Sequence, residues 1–306
     1  MPLPISGRTA LVGVLGDPVR HSLSPAMHNA ALAQLGLEWA YLALPAPAAD
    51  LATVVRGLEA MGCRGLSVTI PHKQAVAELC RERSALAQRV GAVNTLVPLD
   101  GGGWMGTNTD VEGFMAPLRH GPWQGKRALV LGCGGSARAV VAGLVELGFG
   151  AITVAARRPE ALAAFAQSCG PWAPQLTPLA WGDLGSATDN ASAQTDLGQA
   201  DLVVNTTPIG MASATAPAAD TDPSTPKACP LNPAELDQLR PGATVYDLIY
   251  TPRPTQLLRE AARRGCPTQD GLEMLVQQGA AALRLWSGLE AMPTDVMRAA
   301  VEAALA

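Results

Sequence analysis

The chain has 306 residues, 48% hydrophobic, 4% aromatic and 16% charged. That is ample for a globular core, and at roughly 100–200 residues per domain the length favours two domains. The 22 Lys and Arg against 26 Asp and Glu leave a formal charge of −4 with no long basic block, which speaks against nucleic acid or an anionic membrane as partner. No stretch of about 20 residues is both apolar and free of charge; the longest candidate, 128–156, is broken by Arg138, Glu146 and several glycines. The start of the chain lacks a charged segment followed by an apolar signal core. Six cysteines stand far apart without a CxxC pair, which argues against a zinc site or a disulfide framework. A soluble protein in the reduced cytoplasm, with a small-molecule partner, is expected.

Residues 9–16, TALVGVLG, read as a buried strand ending in a turn. Ser24 and Pro25 read as an N-cap and a first-turn proline, opening a helix that Gly36 closes. The pattern then predicts a strand over 39–44, a helix over 49–61, a strand over 65–69 and helical structure from Pro71 to about Val90. Residues 93–98 and 103–107 flank a DGGG turn and predict a hairpin, with 110–118 helical after it. A cluster of Gly121, Pro122 and Gly125 introduces a second series: strand 128–131, helix 136–147, strand 152–155, helix 159–169. Stretches 182–199 and 211–233 are rich in Ala, Ser, Thr, Asp and Pro and read as surface insertions. Strands are predicted at 202–205 and 244–247, and helices over 271–285 and 293–305. Alternating strands and helices place the chain in the α/β class, with mostly parallel sheets under helical cover. The seam falls near Asp110.

Gly132-Cys133-Gly134-Gly135-Ser136-Ala137 joins an apolar strand to a helix. Glycines there let the backbone approach a pyrophosphate, and the unpaired N–H groups of the following helix stabilise the anion; a tight turn that binds nothing is the plainer alternative. An NAD site offers an Asp or Glu about 20 residues on, whereas a 2′-phosphate calls for arginine. Here the next strand ends in Ala156-Arg157-Arg158, and two guanidiniums suit a phosphate dianion. NADP is therefore preferred over NAD, with a solvated surface pair as the plainer alternative.

The first half carries four polar segments where loops leave strands: His21-Ser22-Leu23-Ser24-Pro25, Ser67-Val68-Thr69-Ile70-Pro71-His72-Lys73, Gly91-Ala92-Val93-Asn94-Thr95 and Gly106-Thr107-Asn108-Thr109-Asp110. In this order, followed by the glycine loop and by the segments 204–211, 246–252 and 271–278, they resemble the shikimate dehydrogenase family over roughly residues 11–286. The resemblance implies two domains: a substrate-binding domain over 1–110 and a Rossmann-type NADP-binding domain over 111–270, with helices of 271–306 returning to the first. It implies the reversible NADPH-dependent reduction of 3-dehydroshikimate to shikimate, on the route to chorismate and aromatic amino acids. Family members occur as monomers and dimers, which leaves a homodimer open.

Carried over by the same resemblance, Ser22 and Ser24 bind the substrate carboxylate with Tyr250. Thr69, Asn94 and Gln278 hold ring hydroxyls, and Lys73 and Asp110 form the catalytic pair. Leu248 and Gly271 border the nicotinamide, while Gly132 to Ser136 with Ala156, Arg157 and Arg158 hold the rest of NADP. An ammonium can polarise a carbonyl and supply or relay its proton while a carboxylate orients it; which of the two carries the proton at turnover stays open. Ser67 stands where the family commonly has Asn, and Ala156 and Arg158 flank Arg157 in place of an Asn-Arg-Thr pattern. His21, His28 and His72 have no carboxylate or Cys at ligand spacing, so no metal is expected. A broader quinate or aminoshikimate dehydrogenase and a non-catalytic NADP sensor are the competing readings.

Overall fold

The computed structural model describes residues 5–186, 196–211 and 228–305; most of the two stretches expected to be irregular, 182–199 and 211–233, lies outside them. By contact the chain forms two compact units, Met1–Ala116 with Glu273–Ala306, and Pro117–Leu272.

The first unit begins with β1 (Ala10–Gly16), α1 (Ser24–Leu35), β2 (Trp39–Pro45), α2 (Leu51–Ala60) and β3 (Leu66–Val68). Ser24 is not the N-cap. Leu23 holds that position without a side-chain cap, and the Ser24 N–H donates to Ser22 Oγ at 3.3 Å. Gly36 does close the helix, at φ 66°, the left-handed conformation that glycine adopts without a Cβ penalty.

The continuous helix expected after Pro71 is corrected. In its place come a 3-10 turn at Ala75–Leu79, the short strand β4 (Glu82–Arg83) and α3 (Ala85–Val90). The break has a local cause: Ser84 Oγ accepts from the Ala87 N–H at 3.1 Å and starts a new helix. The hairpin forms as β5 (Thr95–Pro98) and β6 (Trp104–Thr107), followed by α4 (Asp110–Met115). The six strands run in the order β2-β1-β3-β5-β6-β4, parallel across β2, β1 and β3 and antiparallel where β5 meets β3 and β6. One face buries Leu15, Leu66, Val68 and Leu96 with Leu51, Val55 and Leu58 from α2.

The second unit carries β7 (Arg127–Leu131), α5 (Gly135–Glu146), β8 (Ala151–Ala156), α6 (Pro159–Cys169), β9 (Leu176–Ala180), α7 (Asp196–Gln199), β10 (Leu202–Asn205), α8 (Pro233–Leu236), β11 (Thr244–Asp247), α9 (Gln256–Arg263) and β12 (Thr268–Gln269). Its sheet is parallel, in the order β12-β11-β10-β7-β8-β9. This is the doubly wound arrangement, with the order reversing between β7 and β10. The sequence pattern does not mark β9, whose LTPLA carries Pro178; proline is tolerated because β9 is an edge strand.

The chain returns to the first unit with α10 (Leu272–Ser287) and α11 (Thr294–Leu305). Packing explains why the first unit extends past 110 to Ala116. A Cβ on Gly113 of α4 would stand 2.7 Å from Met274 O and 2.8 Å from Gln278 Cβ, so glycine lets α4 and α10 touch through their backbones. The Arg284 guanidinium reaches both Glu112 oxygens at 2.9 Å. Among the described residues no helix is long and apolar enough to cross a membrane.

Candidate active site

In the first unit, Lys73 and Asp110 are brought together although 37 residues apart, Nζ to Oδ2 at 2.6 Å. Their side chains are only 14% and 6% exposed, so little water screens their attraction. Each is held from behind. The Lys73 carbonyl accepts from the Val93 N–H at 2.7 Å, and the adjoining His72 ring lies 2.6 Å from the Ala46 carbonyl. Asp110 opens α4, where the helix dipole favours a carboxylate.

The second oxygen of Asp110 accepts from Asn94 Nδ2 at 2.8 Å, and the same amide donates to Thr109 Oγ1 at 3.0 Å. Asn94 Oδ1 in turn accepts from the Thr109 N–H at 2.7 Å and from Thr95 Oγ1 at 3.0 Å. Asn94, Thr95 and Thr109 thus form a buried clamp that fixes the carboxylate plane. Of these three the resemblance gives a role to Asn94 alone; Thr95 and Thr109, polar residues within the same motif segments, are the signal the sequence contains for the rest.

The other residues expected in this unit are placed as follows. Ser24 is buried and Ser22 half-buried, joined through the helix start. Thr69 follows β3, and a Cβ on Gly16 would stand 2.5 Å from its Cγ2, so Gly16 makes room for this threonine. Gln278 donates to the Leu275 carbonyl at 2.8 Å and packs on Gly113. Tyr250 belongs to the second unit, where burial raises its phenol above the ordinary value.

In the second unit the residues 132–136 run from the end of β7 into the first turn of α5. Gly132 has φ 106°, and a Cβ there would stand 2.7 Å from Thr206 Oγ1; around Gly134 nothing lies within 4 Å. Gly134 is the N-cap of α5 and brings no side-chain cap, so the first-turn N–H groups face an open cradle that a larger side chain would fill. Ala137, in place of a third glycine, is fully buried, as the close strand–helix contact demands. These residues fit a pyrophosphate.

Arg157 and Arg158 are exposed at the end of β8, after the buried Ala156. The Arg157 guanidinium stands 5.9 Å over the Trp181 ring, a cation–π distance, beside a cavity of about 460 Å³ lined by Pro159, Leu162, Pro178 and Trp181. Trp181 is a neighbour that no motif announces. In the glycine loop, burial raises the Cys133 thiol, while the Arg158 and Arg138 charges pull it back down. Leu248 and Gly271 are in contact, since a Cβ on Gly271 would stand 2.0 Å from Leu248 O.

Beneath these loops lies a network with no assigned role in the sequence reading. Asp247 Oδ1 accepts from Asn205 Nδ2 at 3.0 Å and from the Ile249 N–H at 3.2 Å, and Oδ2 from Thr255 Oγ1 at 2.7 Å. Burial pushes this carboxyl up to about 6, against the pull of its three hydrogen bonds. The folded chain therefore keeps the proton to about pH 6, whereas an unfolded Asp loses it near pH ~3.9. Stability from this group falls as pH rises between those values, by about 2–3 kcal/mol, and is level above. Asp247→Asn should flatten that segment of a stability–pH curve from urea unfolding; an unchanged slope would assign it to other groups.

All six cysteines are free thiols, and among the described residues no cluster of three or more His, Cys, Asp or Glu could hold a metal. A doubly wound nucleotide sheet in one unit and a buried ammonium–carboxylate pair in the other define a class, the dinucleotide-dependent oxidoreductases. The description "Shikimate dehydrogenase substrate binding domain" matches residues 14–96, and "Shikimate 5'-dehydrogenase C-terminal domain" matches residues 271–302. A shikimate dehydrogenase (NADP(+)) of Synechococcus sp. (strain JA-2-3B'a(2-13)) is 49% identical over 302 residues, 99% of this chain and 98% of its own length. A solved shikimate dehydrogenase in complex with NADP+ superposes with TM-score 0.84 at 32% identity, covering 99% and 98% of the two chains. The shikimate 5-dehydrogenase of Thermus thermophilus in complex with NADP(H) and shikimate gives 0.79 at 36%, covering 97% and 100%. The chain belongs to the shikimate dehydrogenase family.

Proposed function

We infer that the chain catalyses the reversible NADPH-dependent reduction of 3-dehydroshikimate to shikimate, a step toward chorismate and the aromatic amino acids. The observation that carries this reading is the buried Lys73–Asp110 pair at 2.6 Å, in a chain 49% identical to an NADP(+) shikimate dehydrogenase. The residues 132–136, with Ala156, Arg157, Arg158, Leu248 and Gly271, would hold NADP, which when bound supplies or accepts the hydride. Lys73 places its ammonium against the C3 oxygen of the substrate, polarises the carbonyl and delivers a proton as alkoxide character develops. Asp110 keeps that ammonium aimed, and is itself held by Asn94. Ser22, Ser24 and Tyr250 present hydroxyls suited to a carboxylate, while Thr69, Asn94 and Gln278 suit ring hydroxyls. Six free thiols fit work in a reduced, cytoplasmic setting.

Mixing the purified chain with shikimate or quinate, each with NADP+ or NAD+, and following reduced-cofactor absorbance tests the reading. Shikimate with NADP+ should give the highest kcat/KM. Faster turnover of quinate with NAD+ would replace this reading with the broader dehydrogenase, and no turnover with any pair would leave a nucleotide-binding protein without catalysis.

A further inference from the structure

The first unit's sheet has a second face, opposite the aliphatic one, and it carries a polar cluster of which the reaction above uses only Ser24. Strand register places it. Tyr41 pairs with Val12, and Ser67 with Val14. Side chains alternate along strands and align across them, so Tyr41, Val12, Val14 and Ser67 all point to this face. Helix α1 covers it: the His28 ring stacks on that of Tyr41, centroids 4.1 Å apart and planes within 5°. Ser24, four residues before His28, lies one turn away on the same side of the helix.

The Tyr41 ring cannot turn away from these neighbours. Trp286 of α10 packs against it with centroids 6.2 Å apart, and its own ring is pinned by a 3.0 Å bond from Nε1 to the Leu96 carbonyl. Tyr41 is fully buried, and the Ser67 and Ser24 hydroxyls offset part of the rise that burial gives its phenol. In the structure neither the Tyr41 nor the Ser67 hydroxyl has a hydrogen-bond partner among the described residues. Buried hydroxyls are rarely left so.

A serine hydroxyl has one proton and room to accept two bonds. For Ser24 to give its proton to an anion, its oxygen is best supplied by another donor. Burial raises the Tyr41 phenol, so it stays protonated and can be that donor. His28 brings no competing charge, since burial lowers it to about 3.

We propose that Tyr41 is a positioning residue of the substrate pocket: its hydroxyl donates to Ser24, with Ser67 as its second neighbour, and so turns the Ser24 proton toward the substrate's carboxylate. This rests on the function proposed above and adds to it a group that does not touch substrate. Tyr41→Phe keeps the packed ring and deletes only the hydroxyl. KM for shikimate should rise about five- to tenfold, the worth of one hydrogen bond, with kcat and KM for NADP+ nearly unchanged. The thermal midpoint should not fall, because a purely structural loss would lower it without selecting KM. In a Ser24→Ala background the same change should have no further effect, since the groups then act as one unit. An unchanged KM in Tyr41→Phe, or effects that simply add in the double variant, would overturn the proposal while leaving the function intact. Wild-type protein that fails to oxidise shikimate with NADP+ would overturn both.

Discussion

Replacing Lys73 with alanine should lower kcat for shikimate oxidation by about 10²–10⁴-fold, the range for loss of a positioned proton-transfer group, with NADP+ affinity unchanged. The loss belongs in kcat because the ammonium is most useful when negative charge builds on the substrate oxygen. Geometry makes the substitution severe in a second way. Asp110 is 6% exposed and would lose its 2.6 Å partner, and stranding one member of a buried pair costs about 3–5 kcal/mol. Activity and folding must therefore be separated. Lys73→Met with Asp110→Asn removes both charges and should recover most of the unfolding midpoint while remaining inactive. NADP+ binding by tryptophan fluorescence, alongside turnover, checks the point; a Lys73→Ala protein that keeps wild-type kcat would remove Lys73 from the chemistry.

Replacing Arg157 and Arg158 together with alanine should raise KM for NADP+ by about 10²-fold or more and change KM for NAD+ by only about threefold, because each charge-assisted bond to a phosphate is worth about 1.5–3 kcal/mol. The two arginines do not contribute alike. Arg157 is steered by the Trp181 ring, whereas the Arg158 charge is felt at Cys133 of the glycine loop. Equal losses for both cofactors would show that the arginines act on the shared part of the nucleotide and not on the 2′-phosphate.

The α/β character of both units was legible because strand and helix periods alternate cleanly, and the glycine loop sits where its mechanism needs it. Local chemistry the pattern does not resolve is where the reading failed. A long apolar and charged run after Pro71 has helical spacing, yet Ser84 restarts the chain as a capped helix and Glu82–Arg83 pair with β6. The edge strand β9 is hidden by Pro178, and Ser24 lies inside its helix while Ser22 supplies the acceptor. In the site, Lys73, Asp110 and Asn94 stand in motifs whose residue types declare a purpose. Tyr41 and Trp181 do not, because their value comes from neighbours distant in sequence, and Thr95 and Thr109, though in the same segments, declare no role until they close on Asn94. Asp247 shows the same limit: a carboxylate at a strand end says nothing of burial until Asn205 and Thr255 close over it.

The interrupted first unit also sets an order of events. Ribosomes deliver the chain from its start, and domains fold largely as units. The nucleotide unit, Pro117–Leu272, is complete in sequence before the last 34 residues, Glu273–Ala306, of the first unit emerge. Until then Gly113 has no helix to meet, and the side of Gly65 that Trp286 will cover stands open. The unit that carries Lys73 and Asp110 is begun first yet finished last, so its contacts with α10 close only after the other unit has had the chance to fold.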